Sequence, residues 1–224
     1  MSTGVIFGRV QAAWPASMGR VAGIVYLLYF VTAILAQFLL SKSPAKRSAR
    51  AALLECNEGA RRTLCGLASR NFVVYGNAGN LVAYGLYVLL TLLFYYLFQP
   101  VNRSVSLLAA LFSLLGCAIG VLDLFHFAAL EINPLWGFGF YCLLIGYLIL
   151  RSTFLPRLLG WLMAFAGLGW LAFLAPPIAK YLSPYIEALG ILAEASLMLW
   201  LIFRGVNVQR LNEQTASARA TTRK

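Results

Sequence analysis

The sequence predicts an all-α fold: a polytopic membrane helix bundle of six transmembrane helices, with one amphipathic helix in the first loop. Three observations predict it. Apolar runs with almost no charge recur along the chain, and about 20 such residues are enough to cross a bilayer as a helix. Only 11% of the 224 residues are charged and 61% are hydrophobic, with mean hydropathy +0.80; a soluble domain carries about 25% charge. Finally, the stretch from Gly146 to Trp170 reads as a hairpin. Arg151 and Arg157 bracket a tight basic turn between two apolar runs. Pro156 inside that turn has no backbone N–H and so ends one helix or begins the next.

The elements follow in order. Residues 1–20 form a short interfacial segment, where Trp14 with Arg9 and Arg20 suits a membrane boundary. The first span is 21–40, too long for a cleaved signal core, and is expected to stay as a membrane helix. A polar loop, 41–80, carries seven Lys or Arg. The second span, 81–98, closes at Gln99-Pro100. A short link makes the third span, 104–130, its antiparallel neighbour. Glu131-Ile132-Asn133-Pro134 is a turn. The remaining spans are 135–150, 158–178 and 185–203, and a basic tail, 205–224, follows.

Within the first loop, Leu53, Ala60, Leu64 and Leu67 share one face at helical spacing, opposite Arg47, Arg50, Glu58, Arg61 and Arg62. This is the amphipathic helix, lying on the bilayer surface or capping the bundle. A helix there would hold Cys56 and Cys65 about 13 Å apart, too far for a disulfide, so helix and disulfide exclude each other. The net charge of +11 lies in loops and tails. Its expected partner is the lipid bilayer, through anionic head groups, and not nucleic acid. With both termini cytoplasmic, ten basic residues face the cytoplasm and eight the other side; seven of those eight lie in the long loop, where basic charge orients a chain less strongly.

Few residues carry chemistry. Asp123 and His126, the only Asp and the only His, share a helix face. Ionisable groups at that depth form a proton relay or ligand site, or a structural lock near the helix end. Glu187 and Glu194 are seven apart in the last span, Glu194 about halfway through it. Together Asp123, His126, Glu131, Glu187 and Glu194 outline a polar outward-facing pocket floored by Glu194. The alternative is four carboxylates that meet lipid heads and loop arginines separately. Gly116 and Gly120 form a small-residue face for close helix contact, more often within one chain than between chains. No metal site and no cofactor are expected. One His is too few for di-iron or bis-His haem chemistry, and no P-loop, GxGxxG or HExxH is present.

Several stretches carry a resemblance. They are Val21-Ala22-Gly23 with Tyr26-Leu27-Leu28, Pro100-Val101-Asn102-Arg103, Gly146-Tyr147-Leu148 with Arg151-Ser152, Leu155-Pro156-Arg157, Gly160, Gly167-Leu168-Gly169, and Glu194 followed by Ser196-Leu197, Trp200-Leu201 and Gly205-Val206. Over about Arg20 to Val206 the chain resembles the domain-of-unknown-function 4386 family of multi-helix membrane proteins. The resemblance implies a single membrane domain in a bacterial inner membrane and implies no activity. Glu194 and Arg151 match the family pattern. Asp123 and His126 match no family motif, and Phe112-Ser113 departs from the family's usual Arg after that Phe.

The leading expectation is a non-enzymatic membrane protein that binds or moves a small or lipid-like molecule. The alternatives are an intramembrane enzyme or redox component using Asp123 and His126, and a structural or regulatory partner of another membrane protein. Oligomeric state is beyond the sequence.

Overall fold

The computed structural model describes residues 3–42, 59–125, 135–174 and 176–222. Among them are seven α-helices, one short 3-10 turn and no strand. The helices are α1 (Thr3–Lys42), α2 (Gly59–Phe98), α3 (Arg103–Leu124), α4 (Leu135–Arg151), α5 (Arg157–Leu171, continued by the 3-10 turn Ala172–Leu174), α6 (Pro176–Phe203) and α7 (Val208–Thr222). Five carry an apolar stretch long enough to cross a membrane: Met18–Ser41, Asn71–Phe98, Arg103–Leu124, Arg157–Leu174 and Tyr181–Phe203. The remaining predicted span, α4, has 17 residues. At 1.5 Å per residue it is about 25 Å long, the lower end of what spans a bilayer.

Several boundaries differ from the sequence reading, each for a local reason. The segment 1–20 is not separate, because α1 already begins at Thr3. The loop 41–80 is shorter than expected: α2 starts at Gly59, so Ala60, Leu64 and Leu67 belong to the same 40-residue helix as the second span. Leu53 and Cys56 lie outside the described residues, while Cys65 is within α2. The third span ends at Leu124, capped by Phe125, and not at Leu130. Its start is fixed by Asn102, whose side-chain oxygen accepts the Val105 N–H at 3.1 Å. The last break comes earlier than expected. α6 begins at Pro176, where a missing N–H costs nothing, and it continues through Pro184 with the loss of one i→i−4 bond.

The contacts divide into two units, Leu27–Tyr87 and the remainder, Met1–Tyr26 with Val88–Lys224. In the smaller unit the end of α1 runs antiparallel to the start of α2. Gly76 and Gly79 admit Leu40 and Ala36 at contact distance, and the rings of Tyr29 and Tyr87 lie 4.8 Å apart.

In the larger unit each helix pairs with its neighbour in sequence, and α6 returns to α1. Gly19 sits against Val206 and Gly23 against the backbone of Ile202. Tyr26 meets Phe94 edge-on at 6.1 Å. Ser106 Oγ donates to the Tyr95 carbonyl at 3.0 Å, tying α3 to α2. Gly137 of α4 lies on the backbone of Gly116 in α3. The closest pairing is α4 with α5. Gly139 faces Gly167 and Gly146 faces Gly160, two glycine pairs one heptad apart in an antiparallel hairpin. A Cβ on Gly146 would lie 2.8 Å from the Ala164 nitrogen and 2.8 Å from the Gly160 carbonyl oxygen. Only hydrogen fits there, and the backbones pack directly. α4 is flanked on two sides and buries Gly137, Gly139, Tyr141, Cys142, Ile145, Gly146, Leu148 and Ile149.

The hairpin turn forms where expected, with Arg151 ending α4, Pro156 as the N-cap of α5 and Arg157 beginning it. Its middle does not lie bare in water. Ser152, Phe154 and Leu155 are buried. The expected tail is a helix, α7, docked on this turn. Thr153 donates its N–H and hydroxyl to Gln214 Oε1, both at 3.2 Å, Arg210 donates to the Thr153 carbonyl at 3.3 Å, and Leu211 is buried. Outward-facing side chains are apolar, such as Leu158 at 69% and Phe203 at 76% exposed. A surface of that kind suits lipid.

Gly146→Ala is expected to lower the stability of the detergent-purified protein by about 1–3 kcal/mol, because rigid backbone surrounds the added methyl. Gly85 has nothing within 4 Å of its Cβ position. Gly85→Ala therefore should leave stability unchanged or raise it by up to about 1 kcal/mol through helix propensity. Denaturant-induced unfolding followed by circular dichroism measures both; equal losses in the two variants would contradict this account of the hairpin.

Candidate functional site

Burial sorts the three predicted pocket residues that the structure describes. Glu194 of α6 is half-buried, with the fully buried Ala193 and Leu197 beside it. Its carboxyl group is hydrogen-bonded to Tyr26 of α1, a residue only 1% exposed. Cys142 of α4, fully buried, lies within electrostatic reach of the same carboxyl. Asp123 is exposed in the last turn of α3, and Glu187 is exposed on α6. His126 and Glu131 lie outside the described residues. Glu187 and Glu194 do project alike from one helix, but the protein covers only the second.

The depth of Glu194 follows from the helix lengths. It is nine residues from the end of α6 at Phe203, about 13 Å. Tyr26 is eight residues from the start of the apolar stretch of α1, about 12 Å from the same end. Cys142 is nine residues from Arg151, about 13 Å from that end again. These helix ends are neighbours, since Gly19 meets Val206, and the Asn207 N–H donates to the Phe154 carbonyl at 3.4 Å. The three groups therefore share one layer near mid-span.

Two hydroxyls belong to the same layer. Thr91 of α2 and Ser113 of α3 are both buried, and their oxygens lie 2.5 Å apart. Sequence reading passed over Thr91 and Tyr26, since each is one ordinary residue in an apolar run. The usable signal was their distance from the helix ends, which matches that of Glu194.

One turn outward from Glu194, Gly190 leaves room for the indole of Trp170, whose Nε1 would stand 3.1 Å from a Cβ there. That N–H is buried and has no hydrogen-bond partner among the described residues. Gly190 and Glu194 are four residues apart, about 6 Å along the helix. A buried donor and a carboxylate thus stand one turn apart on the inner face of α6. Gly116, singled out as a contact face, is filled from within the chain by Phe138 and Gly137.

Comparison with known proteins adds a family and no activity. The model of the family described as Domain of unknown function (DUF4386) matches residues 21–134 and 132–205. An uncharacterised protein of Archaeoglobus fulgidus is 25% identical over 142 residues, which covers 59% of this chain and 85% of the relative. No solved structure matches significantly.

The Thr91–Ser113 bond provides a measurable element of the layer. In a double-mutant cycle with Thr91→Val and Ser113→Ala, the two changes should couple by about 0.6 kcal/mol and at most about 1.7 kcal/mol, as interhelical bonds in membranes do. Unfolding free energies of the four proteins give the coupling, and strict additivity would show that the bond contributes nothing.

Proposed function

The chain belongs to the DUF4386 family, and on that premise we propose that it is a multi-pass protein of the cell's inner or plasma membrane that binds or moves a small or lipid-like molecule at the mid-span polar layer. The observation that carries this reading is Glu194, a carboxyl group set about 13 Å inside a membrane helix and partnered by Tyr26. Carboxyl groups at that depth are costly and face interiors or water-filled paths. The Trp170 N–H supports the same reading, because it offers a buried donor to a ligand beside the Glu194 acceptor. A ligand bearing one acceptor and one donor or positive charge suits the pair.

Six crossings with both termini cytoplasmic accompany the proposal. Arg20 lies beside Gly205, which supports an even number of crossings. That end carries Arg20, Arg103, Arg151, Arg157 and Arg204, the arrangement expected of a cytoplasmic face.

The test is native mass spectrometry of the protein extracted in mild detergent. A retained small molecule should leave with Glu194→Gln and weaken with Trp170→Phe, while thermal unfolding stays cooperative in both. Equal retention in all three proteins would refute the site. A wild-type protein that retains nothing, with the family's cellular extract supplied, would refute the binding role.

A further inference from the structure

One end of the larger unit is basic in a patterned way. Among the described side chains, six exposed arginines gather there: Arg20, Arg103, Arg151, Arg157, Arg204 and Arg210. The one carboxylate among them is Glu213 of α7. The opposite end presents Asp123 and Glu187. Among the described side chains the two ends of the unit therefore differ in sign.

Three of the arginines are paired with an aromatic ring one helical turn toward mid-span. The Arg151 guanidinium lies 5.7 Å from the Tyr147 ring centre, and its Nε donates to the Tyr147 hydroxyl at 3.3 Å. Arg204 lies 5.9 Å from the Trp200 ring centre. Arg157 precedes Trp161 by four residues, which puts both on one face of α5. Tyr147 and Trp161 are 41% and 55% exposed. They continue into the outer apolar surface: the Trp161 ring stands 6.2 Å from that of Phe165, itself 55% exposed.

Each pair therefore stands where the lipid-facing surface stops and the charge begins. An aromatic ring prefers the interfacial level of a bilayer, and a guanidinium just beyond it reaches the phosphate level. Guanidinium also binds phosphate by paired hydrogen bonds, which an ammonium does not. A soluble acidic partner would approach the end of the helices from water and would have no use for rings that face sideways into lipid. α7 points to the same division. Its buried Leu211 and its hydrogen bonds face the turn, and the exposed Gln209, Asn212 and Glu213 are uncharged or acidic.

We propose that Arg151, Arg157 and Arg204, each with its neighbouring aromatic ring, form a belt that selects anionic phospholipid head groups at this end of the protein. The belt is separate from the Glu194 layer, and neither reading depends on the other.

The experiment uses the full-length protein in mild detergent with mixed phosphatidylglycerol and phosphatidylcholine, and reads the lipids retained by native mass spectrometry. Wild-type protein should retain phosphatidylglycerol preferentially. Each arginine replaced by glutamine should reduce that preference about fivefold, the factor corresponding to about 1 kcal/mol per basic residue near a charged surface. Arg151→Gln, Arg157→Gln and Arg204→Gln together should abolish it. The three lysine replacements should keep most of it, since charge is preserved, and salt at about 1 M, where screening acts within about 3 Å, should weaken it in wild type. If the triple glutamine protein fails to fold, the single variants carry the test, each by its own fivefold loss. An unchanged preference in the glutamine variants would overturn the proposal, as would lysine variants that lose it as completely as the glutamine ones.

Discussion

Direct backbone contact between α4 and α5 is the constraint on which the larger unit depends. Lipid tails are as apolar as leucine side chains, so burial of apolar surface gives two membrane helices little reason to associate. What remains is the density of van der Waals contact and the hydrogen bonds made when helices approach closely. The pairs Gly139–Gly167 and Gly146–Gly160 supply that approach along one heptad, and Gly116–Gly137 extends it from α4 to α3. A short central helix becomes sustainable by this means. α4 needs no broad lipid-facing side, since much of its surface is occupied by protein. Cys142 of this helix lies within electrostatic reach of Glu194 on α6, so α4 joins α1, α2, α3 and α6 in contributing to one layer.

The distribution of polarity follows from that packing. The large exposed side chains between the helix ends are mainly Leu, Ile, Val, Phe, Tyr and Trp, whereas Thr91, Ser106, Ser113 and Ser152 are buried. Each of these four has a stated acceptor or hydroxyl partner. Unpaired polar groups away from water cost several times what a made bond contributes, so inward placement with a partner is the stable arrangement. The Trp170 N–H departs from this rule among the described residues. It stands one turn from the carboxyl group that is hardest to accommodate in apolar surroundings.

Much of the fold was legible in the sequence because its determinants are local. Long apolar runs gave the helices, Gln99-Pro100 and Pro156 gave two of the turns, and Gly116 gave a close contact inside the chain. The errors arose where local rules compete. The sequence reading begins the last span at Tyr185, but a membrane helix tolerates an internal proline such as Pro184 when its neighbours are in place, and Pro176 opens the helix instead. The polar residues near 59–70 suggested a separate surface helix, although nothing in their spacing forbids continuation into the next span. The candidate site was legible only in part. Glu194 announced itself by charge, whereas its partner Tyr26 comes from a helix more than 160 residues earlier in the chain, and spacing along one helix cannot reveal that. Glu187 shows the limit of helical periodicity, which gives direction and says nothing of what stands opposite.

The C-terminal segment belongs to the fold for a reason that begins at the hairpin turn. Burying Phe154 and Leu155 in a turn requires cover on the side away from the helices, and α7 provides it with Leu211 and with bonds from Arg210 and Gln214 to the turn backbone. α7 can lie there because Gly205, at φ +65°, turns the chain sharply after α6. A residue with a side chain is strained in that conformation. From the turn an aromatic series runs inward, Phe154 to Phe98 at 5.8 Å, Phe98 to Phe94 at 5.9 Å, and Phe94 to Tyr26 at 6.1 Å, ending at the partner of Glu194. The position of the Tyr26 hydroxyl, and so of the polar layer, is therefore set from the same end at which the arginines gather. The turn on which α7 sits is thus linked to Tyr26 by consecutive ring contacts, while Trp136, Phe140 and Phe112 form a separate ring cluster toward the acidic end. Within the larger unit the polar layer is registered to the basic end through this series.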